Sequence, residues 1–124
     1  MLILSFDNIK CIFISTIFWI GYFIYLYDNI KRDSYKLAVN QVSATHACIS
    51  IILSFTALFQ PYFISIIPVI SISYFIYDIL IVYISSTKKT FYNDIAFILH
   101  HLISIIGICH LHQPYTNFIL KMFL

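Results

Sequence analysis

"LAVNQVSATHACISIILSFTALFQPYFISIIPVISISYFIY", Leu37 to Tyr77, runs for 41 residues without one Asp, Glu, Lys or Arg. As a single helix it would reach about 60 Å, twice the hydrocarbon thickness of a bilayer. The stretch must therefore reverse. Gln60-Pro61 is the natural place, because proline cannot continue a helix and favours turns. One charge-free segment thus reads as two membrane spans, about 42–59 and about 62–86, with Pro68 expected to kink the second near its start.

The remainder of the chain agrees. Its 124 residues are 61% hydrophobic and 10% charged, with a mean hydropathy of +0.93, against roughly 45–50% and 25% in ordinary globular domains. A soluble domain of this size buries only about two-thirds of its unfolded surface, which would leave far too much apolar area in water. Lipid is the implied solvent. The net charge of +2 is small and scattered, so no nucleic-acid partner is expected.

"CIFISTIFWIGYFIYLY", Cys11 to Tyr27, gives a first span at about 9–28. Its aromatic end lacks the small-residue cleavage pattern of a signal peptide, so it is expected to stay in the mature chain. A fourth span falls at about 95–112, leaving "QPYTNFILKMFL" as a tail or a partial fifth span. The fold class is therefore all-α: a multi-pass transmembrane helical bundle of four spans.

Two polar loops, "DNIKRDSYK" and "SSTKKTFYND", separate these spans. Lys31, Arg32, Lys36, Lys88 and Lys89 lie on one side, and Lys10 and Lys121 on the other. By the positive-inside rule the two loops face the cytosol. Residues 1–35 form an N-terminal span and loop, and residues 36–124 a second unit. Cys11, Cys48 and Cys109 are odd in number, far apart and set in apolar runs. They read as small buried hydrophobes, not as disulfide partners or metal ligands.

Ionisable groups inside a membrane cost about 2.5–3.5 kcal/mol each on insertion scales and default to functional candidates. Here they are His46, Asp78, His100 and His101. Counted from the cytosolic ends of their expected spans at 1.5 Å per residue, they lie about 6, 12 and 8–10 Å deep. Ser43, His46, Ser50, Ser54 and Ala57 share one helical face. Ser71, Tyr74, Asp78 and Ser85 share another, and His100, Ser104 and Gly107 a third. Such stripes also pack membrane helices without any further role, with His46 or His100 neutralising Asp78. His110 and His112 sit at the far boundary, where an interfacial role is expected.

Three strings occur in a telling order: "VSATHA" (Val42–Ala47), "SYFIYDIL" (Ser73–Leu80) and "DIAFILHHLIS" (Asp94–Ser104). Over about residues 36–112 the chain resembles the TLC-domain family of multi-span membrane proteins, which includes ceramide synthases. The resemblance implies an all-helical membrane domain, often in the endoplasmic reticulum, that binds, senses or makes lipids. For a viral source the membrane would be the host's. In the synthases the paired histidines are thought to serve acyl transfer from acyl-CoA to a sphingoid amine. By that likeness His100 or His101 would be the general base, as suits an imidazole, and Asp78 would orient it.

The chain departs from that pattern. It is shorter than the family's usual domain. After His101 it has no Asp or Glu, and its only Asn is Asn117, so the residues that complete the synthase site lack counterparts. The leading expectation is a short TLC-like protein that binds or regulates membrane lipids through His46, Tyr74, Asp78, His100, His101 and Ser104. The alternatives are a minimal N-acyltransferase using His100, His101 and Asp78, or an inactive fragment. No cofactor or metal is expected. Membrane lipids are the expected partners, with a homo-oligomer or another protein supplying missing helices. A di-iron hydroxylase or desaturase needs many more histidine boxes than five histidines provide.

Overall fold

The computed structural model describes residues 6–30 and 34–110. Four helices follow one another: α1 (Phe6–Asn29), α2 (Ser34–Phe59), α3 (Ile66–Ser85) and α4 (Phe91–His110). Each is long and apolar enough to cross a membrane. The described residues form an all-α bundle of four membrane-spanning helices. Residues 111–124, with His112, Lys121 and the tail or partial fifth span, lie outside the described residues, as do Lys31 and Arg32.

Helices dominate because a backbone in lipid must satisfy its own hydrogen bonds. The reversal falls at Gln60, whose φ of −131° and ψ of 96° are extended. The proline that follows pushes its predecessor out of the helical region and so ends α2. Pro61–Ser65 then form one 3-10 turn leading into α3. Pro68, expected to kink the third span near its start, lies in the first turn of α3. A first turn tolerates proline better than a helix interior does, because its N–H groups precede the i→i−4 ladder of the helix.

The second span starts earlier than expected, at Ser34 rather than about 42. "SYK" had been assigned to the loop on its polarity. The segment after it carries Ala38 and Val42 one turn apart, both fully buried, in one core with Trp19 and Phe23 of α1 and Tyr74 and Tyr77 of α3. Burial of that turn extends the helix through the polar residues.

α3 is the central element. Of its most apolar window 44% is buried, against 6% for α4, and it packs against α1 on one side and α4 on the other. Small hydroxyls allow the close approach to α1. Ser73 Oγ lies 2.8 Å from Ser15 Oγ, and Thr16 Oγ1 lies 3.5 Å from the Ser73 carbonyl oxygen. α2 packs chiefly on α1, and it makes no extensive contact with α4. Cys11 and Cys48 face outward and Cys109 is half-buried. The expectation of buried cysteines is corrected: in a bundle this thin, an apolar position is more often lipid-facing than internal.

Candidate functional site

Asp78 is 4% exposed, two turns in from the C-terminal end of α3. Its Oδ2 lies 3.2 Å from Nε2 of His101 on α4. The opposite ring nitrogen, Nδ1, lies 3.0 Å from the Phe97 carbonyl oxygen. A carbonyl only accepts, so Nδ1 carries a proton and Nε2 faces the acid. A hydrogen bond across the contact requires one further proton, and with it the pair is neutral whether that proton rests on the ring or on the carboxyl. That neutrality makes burial in a membrane tolerable. Phe75 and Phe97 enclose the imidazole, with ring centroids at 4.9 and 4.2 Å.

The sequence pairs Asp78 with His46 or His100 as packing contacts and with His100 or His101 as an oriented base; of these only His101 is its ion-pair partner. α2 begins eight residues before the expected start, so His46 sits about 18 Å from the N-terminal end of its helix, not about 6 Å. There it stacks flat on Tyr74, with centroids 3.9 Å apart and planes 6° from parallel. Trp19 meets it edge-on, and Ser50 Oγ lies 3.3 Å from its Nε2. His100 is exposed on the outside of α4, because adjacent residues on a helix point about 100° apart. Ser104 turns its hydroxyl back onto the His100 carbonyl, 2.9 Å away. His110 likewise lies 2.9 Å from the Ile106 carbonyl through Nδ1.

Beside the Asp78–His101 pair, a groove of about 700 Å³ opens between the N-terminal halves of α2 and α4 and the C-terminal half of α3. It exists because α2 packs chiefly on α1 and α4 on α3, which leaves a gap between α2 and α4. Its polar walls are Tyr35, Asn40 and Ser43 from α2, Tyr74, Asp78 and Ser85 from α3, and Thr90 and Asp94 at the start of α4. Tyr35 Oη donates to Ser85 Oγ at 2.6 Å, joining α2 to α3 at the mouth. Asp94 Oδ2 accepts from Ser86 Oγ at 2.7 Å and from Thr90 Oγ1, which fixes the entry to α4.

Of the six candidates, only Tyr74 and Asp78 line this groove. His46, His100, His101 and Ser104 do not. Sequence reasoning missed Tyr35, Asn40 and Thr90. Tyr35 and Thr90 lay in assigned loops, and Asn40 just ahead of the expected second span. The available signal was that Tyr35, Val39 and Ser43 continue the helical face of His46 backward at i, i+4 spacing.

Among the described residues no group of three or more His, Cys, Asp or Glu side chains is placed to hold a metal ion. Comparison with protein-family models, curated proteins and solved structures finds no match to this chain.

Proposed function

We propose that this protein is a TLC-like, lipid-binding member of an endomembrane, by resemblance the endoplasmic reticulum, and that it regulates membrane lipids without transferring acyl groups. The groove takes the head group of a bilayer lipid. The acyl tails run over the outward apolar faces of the helices, where Phe97, Leu99 and Leu102 are exposed.

The carrying observation is the groove itself: a ligand-sized volume with polar walls, open beside lipid-facing helices. Its size falls within the usual range of small-molecule sites, roughly 300–1,000 Å³. Catalysis is the weaker reading because a general base must come within hydrogen-bond reach of the proton it removes. Neither His100 nor His101 forms part of the groove wall.

Native mass spectrometry of protein released from mild detergent tests the proposal. One lipid should remain bound per chain, and Ser43→Trp, which fills the groove, should abolish the adduct while circular dichroism stays unchanged. An adduct that survives Ser43→Trp, or no adduct in the parent protein, sinks it. New N-acyl lipids in cells expressing the chain, lost on His101→Ala, would favour the acyltransferase instead.

A further inference from the structure

His100 lies nine residues into a 20-residue helix, about 13 Å from its start and near mid-membrane. Its ring is exposed. Among the described residues it meets only the edge of the His101 ring, with centroids 5.5 Å apart, and no hydrogen-bond partner. Imidazole is too short to reach the interface from that depth, unlike the long side chains of Lys or Arg. A polar ring left in hydrocarbon is costly and is relieved by a partner at the same depth.

The surrounding face is built to admit one. Asn93, Ala96, His100, Ile103 and Gly107 recur at alternating spacings of three and four, the seam of a left-handed helix pair. All five are exposed. Gly107 has nothing within 4 Å of the place a Cβ would take. His101 points into the bundle, so the seam is distinct from the Asp78 contact. The native thiol of Cys109 sits about 180° around the helix from His100.

We propose that this face is the interface of a parallel homodimer in which His100 of one chain hydrogen-bonds His100 of a second copy. Two copies inserted with the same topology place every residue at the depth of its own counterpart. A group on the seam must therefore be complementary to itself. Neutral imidazole meets that condition, having one donor and one acceptor nitrogen, whereas a carboxylate or an ammonium would repel its twin. The small Ala96 and Gly107 on either side let the backbones come close enough for the rings to meet.

Disulfide trapping in native membranes is the test, on a full-length background with Cys11, Cys48 and Cys109 changed to alanine. Ile103→Cys and Gly107→Cys should form covalent dimers on mild oxidation. Ile106→Cys, about 120° from His100, should not. Adding His100→Leu should weaken association about three- to twentyfold, the range measured for interhelical hydrogen bonds in bilayers, while His100→Asn, which also both donates and accepts, should retain it. Equal trapping at 103 and 106, no trapping at either seam position, or no effect of His100→Leu overturns the proposal. Those results would assign the seam to lipid, to residues 111–124 or to a different protein.

Discussion

Replacing His101 by leucine isolates the contact on which α4 depends. His101 is the only buried residue of that helix among those described, and its ring is the polar link to α3. In soluble interiors, removing one partner of a buried ion pair costs about 3–5 kcal/mol. In bilayers, interhelical hydrogen bonds average about 0.6 and reach about 1.7 kcal/mol, because the separated helices find other partners. The lost contact is neutral overall, so the lower scale applies, with loss of ring packing added. His101→Leu should therefore destabilise the fold by about 1–2 kcal/mol, about five- to thirtyfold in the unfolding equilibrium. Asp78→Leu should cost a similar amount. Combining both removes each orphaned polar group, so the double variant should be no worse than the poorer single. Unfolding by SDS titration in mixed micelles, run as a double-mutant cycle, reads all three. Strictly additive costs would mean that the two side chains do not meet.

His46→Ala should lose the flat stack on Tyr74, costing about 0.5–1.5 kcal/mol in the same titration, and His46→Phe should restore most of it. Pro68→Ala should change stability by less than about 1 kcal/mol and leave spin-label distances along α3 unaltered, since a first turn tolerates proline better than a helix interior does. Cysteines introduced at Thr87 and at Tyr62 should label from opposite sides of the membrane, with Thr87 cytosolic.

The architecture was legible because its determinants are local. A charge-free run too long for one span, together with Gln60-Pro61, dictates the reversal whatever the helices pack against. Helix starts were less legible. Ser34–Gln41 looks like loop by polarity, and it is helical because Ala38 and Val42 lie against Trp19 and Phe23, which no local pattern announces. That offset of eight residues set His46 deeper in the bundle, stacked on Tyr74, and left Asp78 to pair with His101. The choice between His100 and His101 depended on the rotation of α4 about its axis, which hydrophobic content hardly constrains when both faces are apolar. The groove is a tertiary property of the gap between α2 and α4. Asp78 and Tyr74 were singled out from the sequence, while Tyr35 and Thr90 took their place only once three helices were assembled.

Photolabelling with a phospholipid that carries a photoreactive group beside its head group, followed by peptide mapping, tests most directly whether the groove holds a lipid. Labelling should concentrate on Tyr35–Ser43 and Thr90–Phe97 and disappear in Ser43→Trp. Label spread evenly over outward-facing positions such as Phe13, Ile51 and Ile106, and indifferent to that substitution, would leave a membrane bundle without a lipid site.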